Sequence, residues 1–394
     1  MLSRILVILL FFFISISFLA CEDEPSDIGI ELLASDLISV RTFDSQTDTL
    51  DQNSSYHKNV IQLGASIKVL IGKHEDIEAS SLLKFIFGLA DTLKDDIIAG
   101  DLDVNEAWIE ITTRYVYVDS NEVMDFTVHK VNSFWDPSAF TVENLPTLSY
   151  ETNDISLNKE ITDTNYVFNI DPDVVLSWMK NAADTSLGKN YGIYLKPVDN
   201  SGKVIGFQAL TSTSSQAAKL TLVIEKTGSY VDTINGFIFA DVSIVDGDLP
   251  VLPSEDIAVQ SSISVNSIIA FDLSVVPDGV AINSAELIIQ RDSINTLTGS
   301  SFANHLLAYF VEDSTAKEVN EQGAFILSFS GNSYSGDITS YVRIWINEGR
   351  NQGVMLRSGN DIEGLELYAL KGSAAANYAE RPRLKIVYTV KENL

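Results

Sequence analysis

The chain has 394 residues, with 26 basic against 54 acidic side chains and a formal net charge of −28. A polyanion of that size repels phosphate backbones and anionic headgroups, which argues against nucleic acid as a partner and against a basic patch as a membrane dock. Divalent cations, basic partners and neutral polar ligands stay open. Apolar residues make up 45% and include 19 Phe, 14 Tyr and 4 Trp, enough for real cores; at about 100–200 residues per domain the length predicts two of them.

The N-terminus opens with Met1-Leu2-Ser3-Arg4, and Ile5 to Ala20 is then apolar apart from Ser15 and Ser17. A membrane-spanning helix needs about 20 apolar residues, so this shorter run reads as a signal peptide over residues 1–20. Phe18-Leu19-Ala20-Cys21 resembles the lipobox of bacterial lipoproteins, with a small residue before the cysteine. That resemblance implies that Cys21 becomes the acylated first residue of the mature chain. Each buried methylene is worth roughly 0.8 kcal/mol, so two or three acyl chains hold a protein on a membrane. Cys21 is the only cysteine, which leaves it no partner for an internal disulfide. The other reading is an ordinary signal peptide with Cys21 an incidental neighbour. Glu22-Asp23-Glu24 resembles the acidic export tag of some surface lipoproteins, implying a bacterial outer-membrane location facing outward, with residues 21–36 as a lipidated tether.

Beyond the tether, short alternating runs broken by Gly, Asn, Asp and Ser read as strands and turns. They repeat. Ser81-Leu82-Leu83-Lys84-Phe85 is echoed by Ser267-Ile268-Ile269-Ala270-Phe271, and Asn105-Glu106-Ala107-Trp108-Ile109 by Asn283-Ser284-Ala285-Glu286-Leu287. Val174-Val175 with Trp178 matches Tyr341-Val342 with Trp345; Asn190-Tyr191-Gly192-Ile193 matches Asn351-Gln352-Gly353-Val354; Lys219-Leu220-Thr221 matches Arg383-Leu384-Lys385. Blocks kept in one order are the mark of a duplicated unit. The sequence therefore predicts an all-β chain of two tandem homologous β-sandwich domains, residues 37–227 and 228–394, each with one short helix. Asp171-Pro172 starts the first of these helices, and an apolar stripe places Trp178 and Trp345 in the cores.

The order of these motifs, ending in Arg381-Pro382-Arg383-Leu384, resembles the DNRLRE-type domain of secreted bacterial proteins. The second half is closer, with Phe271-Asp272-Leu273-Ser274; the first departs at Phe85-Ile86-Phe87-Gly88 and Gln216-Ala217-Ala218-Lys219, and no literal DNRLRE string occurs. Phe134-Trp135 followed by Asn144-Leu145-Pro146 resembles a Trp-to-Pro loop of that family. The resemblance implies jelly-roll sandwiches related to carbohydrate-binding modules that recognise polysaccharides.

Common catalytic motifs are absent from the sequence, and Gly331 to Gly336 reads as a turn, not a serine elbow. His57, His74, His129 and His305 share no metal-site spacing. Asp101-x-Asp103-x-Asn105 mimics the start of a calcium loop, but Glu106 and Thr112 stand where an EF-hand needs Gly and Glu. A looser calcium site from Asp95, Asp96, Asp101 and Asp103, or simply a solvated acidic loop, fits instead. No organic cofactor is implied.

Side chains alternate along a strand, so alignment with Ala285, Leu287 and Ile289 turns Ala107, Ile109, Ile111, Thr113 and Tyr115 inward. Trp108, Glu110, Thr112 and Arg114 then share the outer face. An outward Trp beside polar groups suits a sugar ring, which stacks on the indole while neighbours bond its hydroxyls; alternatively residues 86–104 or the second domain cover Trp108. Trp135 is a second candidate platform. The expectation is a lipid-anchored, non-enzymatic surface protein that binds an extracellular glycan through Trp108, Trp135, Glu110 and Arg114. A structural or adhesion component that binds protein is the alternative. A polysaccharide-active enzyme ranks third: Tyr115, His129 and Arg114 are near in sequence, but parity sets Arg114 opposite Tyr115.

Overall fold

The computed structural model describes residues 38–48, 50–118, 121–162, 164–210, 217–300 and 302–391. Cys21 and the tether lie outside the described residues. The chain is all-β: two curled sheets of 10 and 11 strands form sandwich-like, jelly-roll-like units with few helices.

The first sheet contains β3 (Lys68–His74), β4 (Ile77–Phe87), β5 (Asp103–Tyr117), β6 (Phe126–Lys130), β7 (Ser156–Ile161), β8 (Asn165–Ile170), β9 (Ile193–Pro197), β10 (Val204–Gln208), β11 (Lys219–Lys226) and β12 (Tyr230–Asp246). It curls because β10 pairs with both β3 and β5. The second sheet contains β1 (Ile38–Asp44), β2 (Gln52–Lys58), β13 (Asp256–Gln260), β14 (Val265–Phe271), β15 (Ala281–Gln290), β16 (His305–Asp313), β17 (Glu318–Ser330), β18 (Ser333–Asp337), β19 (Val354–Ser358), β20 (Leu367–Lys371) and β21 (Arg383–Lys391). Every pairing in both ladders is antiparallel except one isolated bridge, Gln208 to Ala217.

The duplicated motifs occupy equivalent places. Ser81 Oγ donates to the Leu70 carbonyl at 2.6 Å, and Ser267 Oγ to the Ala258 carbonyl at 2.6 Å. The Asn190 amide donates to the Phe85 carbonyl at 2.8 Å, and that of Asn351 to the Phe271 carbonyl at 2.7 Å. Gly192 and Gly353 take φ of 83° and 94°, each with its α-carbon against a β4 or β14 carbonyl (Leu83, Ile269) where a Cβ would collide. That conformation and that approach require glycine.

The domain boundary at 227/228 is corrected by the pairing. β1 and β2 precede the first unit in sequence, yet β1 pairs with β21 and β2 with β14. β12 precedes the second unit, yet it pairs with β11 and β4. The registers correspond: Tyr56 stands opposite Ser267 as Ser243 stands opposite Ser81, and Phe43 opposite Ile386 as Ile234 opposite Leu222. Each unit's opening strand has therefore been exchanged for the other's. The exchanged segments meet where Lys58 Nζ donates to Asp246 Oδ1 at 2.9 Å and to the Gly247 carbonyl at 2.6 Å.

Two cores fill the units, and each takes side chains from the exchanged strands: Ile238 in the first, Phe43 and Leu50 in the second. A third cluster spans the seam, joining Leu70, Tyr115, Tyr117 and Val204 to Ala258 and Leu367. One short helix per unit is also corrected. The first unit has two, α1 (Asp91–Ala99) and α2 (Pro172–Ala183); the second has α3 (Thr339–Asn347). Leu93 and Ile97, one turn apart, anchor α1 on the first core, and Gly100 ends it at φ 78°. Asp171 caps α2 through the Asp173 N–H, and Trp178 and Trp345 are buried.

Because β1 completes the second core, Phe43→Ala should cost about 3–5 kcal/mol. Since the seam and the exchange tie the units together, chemical denaturation followed by tryptophan fluorescence and by circular dichroism should still give one coincident transition, shifted to lower denaturant. A first unit that stays folded after the second melts would contradict this coupling.

Asp241, on exchanged strand β12, is 5% exposed and accepts from the Leu210 N–H at 2.6 Å. Burial raises its pKa from 3.8 to about 6, against the opposing pull of that bond. The raised folded-state value contributes stability fully present below pH 3.8 and lost as pH rises through about 6. Asp241→Asn should therefore stabilise the protein by about 1–3 kcal/mol at pH 7. Melting curves should show that advantage vanishing near pH 4.

Candidate functional site

Strand parity holds on β5: Ala107, Ile109, Ile111 and Tyr115 are buried, while Glu106, Glu110 and Arg114 are exposed and Trp108 is half-buried. The segment expected to roof Trp108 is α1, whose Leu93 and Ile97 pack on the inner side of the sheet. The indole Nε1 of Trp108 points to Glu110 Oε1 at 3.4 Å.

Cross-strand register fixes the neighbours of Trp108. It stands opposite Asn169 on β8 and Thr221 on β11, and Thr221 stands opposite Asn235 on β12. The Thr221 hydroxyl donates to Asn235 Oδ1 at 3.2 Å. In the next outward row, Glu110 is opposite Val167 and Lys219, and Phe237 on β12 is opposite Ile86. Lys219, Asn235 and Phe237 line a hollow of about 360 Å³ that Leu210 also borders. Phe237 is 61% exposed. Trp108 and Phe237 are separated by β11, hence by two interstrand spacings or roughly 10 Å across the sheet. The face thus presents two aromatic rings with a carboxamide, a carboxylate and an ammonium beside them, while Thr221 is buried and spends its hydroxyl on Asn235.

The second unit has no such face. Glu286 replaces Trp108, and its row runs from Asp44 through Lys385 to Asp337. Asp44 there accepts from both Nε and Nη2 of Arg383, which holds its carboxyl below the usual range.

Arg114 does not join Trp108. It lies six residues further along the same strand, about 20 Å at 3.4 Å per residue. Trp135 is corrected as a platform: it is 6% exposed, and its indole donates to the Tyr191 carbonyl at 2.7 Å. It packs with Phe140, Leu148, Leu82 and Tyr194, so the loop that carries it roofs the outer side of β4 and β9. Burying a flat ring over an apolar sheet face is favourable by about 25 cal/mol per Å², and Leu82, Val242 and Ile244 supply that face. In the second unit Val311 and Val319 cover the corresponding Ile268 and Met355.

The acidic set of the first unit is engaged by a cation of the chain itself. Lys226 Nζ donates to Asp96 Oδ1 at 2.6 Å and lies 3.4 Å from Asp101 Oδ2, while the Tyr230 hydroxyl donates to Asp96 Oδ2 at 2.9 Å. Lys226 and Tyr230 hold the Asp96 carboxyl below the usual range. Asp95 sits on α1 and Asp103 opens β5, each exposed. Among the described residues no group of three or more His, Cys, Asp or Glu side chains is placed to hold a metal ion. His129, on β6, lies 2.8 Å from Thr127 Oγ1 on the same strand and 3.0 Å from the Glu151 carbonyl.

Phe237, Asn235 and Lys219 escaped sequence reasoning. β12 was counted with the second unit, and a register shift between Ile238 and Ala240 breaks its alternation. The signal was nonetheless present in Asn235-x-Phe237-x-Phe239, an outward polar–aromatic run.

Trp135→Ala should destabilise the protein by about 3–5 kcal/mol, as for other large-to-small core changes. A melting midpoint equal to that of the unaltered protein would show the ring to be free of the core.

No protein-family model matches the chain, and no curated protein matches it. Among solved structures, a chain titled "Structure of the Macrobrachium rosenbergii Nodavirus" is 11% identical over 91% of each chain, with a TM-score of 0.09. At that score the likeness carries no argument about fold or function.

Proposed function

We propose that the chain is a non-catalytic glycan-binding protein of a bacterial cell surface, held there by a lipid on Cys21. The anchor rests on the apolar leader ending in Leu19-Ala20-Cys21. The binding reading rests on one observation: the outward face of β5, β11 and β12 keeps Trp108 half-exposed beside Glu110, Asn235 and Lys219, with Phe237 beyond them. Flat apolar rings set among short polar side chains match a pyranose, whose C–H face is apolar and whose rim carries hydroxyls. The net charge of −28 favours a neutral glycan over a polyuronate.

A protein partner is the second reading, favoured by the adjoining exposed Ile86, Phe237 and Phe239. Affinity electrophoresis against a panel of neutral and acidic polysaccharides separates the two. Retardation by a neutral glycan is expected, with Trp108→Ala reducing the affinity about 10-fold or more, the scale of losing one stacked ring of about 1.4 kcal/mol or more. Arg114→Ala, on the same strand but off the face, should leave retardation unchanged. Absence of retardation by every glycan in the panel overturns the reading.

A further inference from the structure

Lys371 ends β20 and stands directly opposite Asp256, the first residue of β13. Such cross-strand partners hold their Cβ atoms about 4.5–5.5 Å apart. Lys371 Nζ lies 2.8 Å from Asp256 Oδ1, 2.8 Å from Glu255 Oε1 and 3.2 Å from Asp292 Oδ2. The side chain of Asp256 is 0% exposed, that of Lys371 14% and that of Asp292 11%. Asp256 Oδ2 is buried and, among the described residues, has no hydrogen-bond partner.

Asp292 is fixed independently of the other two groups. Asp292 is clamped by the N–H groups of Ile294 and Asn295 and by the Asn295 amide, and its own N–H donates to the Ala369 carbonyl at 2.8 Å. Burial works to raise Asp292, but those bonds outweigh it and hold it low, whereas burial raises Asp256. The three carboxylates in turn hold the Lys371 ammonium above its usual range, so a carboxyl raised by burial and a carboxylate held low flank one ammonium. As an ion cluster this places three carboxylates around one cation, most of it withdrawn from water, which is a costly way to bury charge. The equivalent first-unit pair is Lys68 opposite Gln208, so the cluster is particular to the second unit.

We infer that Lys371 and Asp256 condense into an intramolecular amide cross-link, with Asp292 as the catalytic carboxylate. The Lys371 ammonium passes a proton to the Asp256 carboxylate, which its dry surroundings favour in the neutral form. The freed nitrogen lone pair attacks Cγ of the protonated Asp256 carboxyl, forming the C–N bond. Asp292, ionised throughout, relays a proton from the attacking nitrogen to the hydroxyl, and the C–O bond breaks with its electron pair leaving on water. An ammonium and a carboxylate become an amide and a water, with no oxidant or co-reactant. Desolvation favours the neutral product over the buried ions.

The position gives the bond a purpose. β13 meets β14 through a single register pair, Gln260 with Val265, and β20 ends the sheet. An amide between Asp256 and Lys371 would staple this thinly laddered edge just where the chain re-enters its own unit after the exchange. A chain with one cysteine has no internal disulfide to do that work.

Mass spectrometry of the purified full chain, digested under denaturing conditions, tests the inference. The peptides carrying Asp256 and Lys371 should be recovered joined, lighter than their sum by one water. Asp256→Asn should give the same joined pair lighter by one ammonia. Asp292→Ala and Lys371→Arg, with circular dichroism of the unaltered protein, should give separate, unmodified peptides. Separate peptides of unmodified mass from the unaltered, folded protein overturn the inference.

Discussion

Each unit's core is closed by a strand that the other half of the chain supplies. Phe43 and Leu50 enter the second core from residues that precede the first unit, and Ile238 enters the first from residues that precede the second. Removing either segment would open an unpaired edge along β14 and β21 or along β4 and β11, and an open edge of that length invites pairing with other chains. The exchange also fixes the seam. Once residues 59–67 and 247–255 cross between units, Lys58 meets Asp246 and the two sheets pack through Leu70, Tyr115, Tyr117, Ala258 and Leu367.

The seam carries polar groups whose burial is tolerable only because the units do not part. Tyr115 is fully buried, and its hydroxyl accepts from the Leu365 N–H at 2.9 Å, a bond from one unit to the other. Glu366 is buried beside it, and burial raises its pKa. Gly299 lies so close that a Cβ there would strike the Tyr115 ring. Burying such groups costs stability unless they are satisfied, so they tie the integrity of the seam to a single relative placement of the two sheets.

The repeat was legible because its marks are local and stereochemically strict: a serine bonded to a neighbouring strand, an asparagine bonded to a carbonyl, a glycine at positive φ. Parity on β5 was legible for the same reason, since alternation is a property of one strand. The exchange was not. Residues 52–58 and 240–245 fit the same register against Ser267 and Ser81 respectively, so a duplicated sequence offers each opening strand two equivalent acceptors. Sequence order favours the near one, and tertiary geometry selects the far one. The burial of Trp135 was hidden likewise, because what it covers, Leu82 and Ile244, comes from a distant strand and an exchanged one. α1 was missed because four acidic and basic side chains mask a stripe of only two apolar residues, Leu93 and Ile97.

The two units diverge most where their shared architecture leaves them freest. Inward positions stay apolar in both, because Ala107 and Ala285, or Leu222 and Ile386, must fill the same space. Outward positions answer only to solvent or to a partner. There the second unit sets Asp44, Lys385 and Glu286 in one row, with Asp44 paired to Arg383, whereas the first carries Thr221, Trp108 and Asn169. A tryptophan left half-exposed is not needed for the fold, since its counterpart is a glutamate. It also lies outside the roof that Trp135 supplies, which covers Leu82, Tyr194 and Ile244. What distinguishes the first unit is a ring kept half-exposed where the second carries charged side chains, and Phe237 adds a second ring only because the exchanged strand β12 runs beside β11. The face that binds would then be assembled by the same exchange that closes the cores.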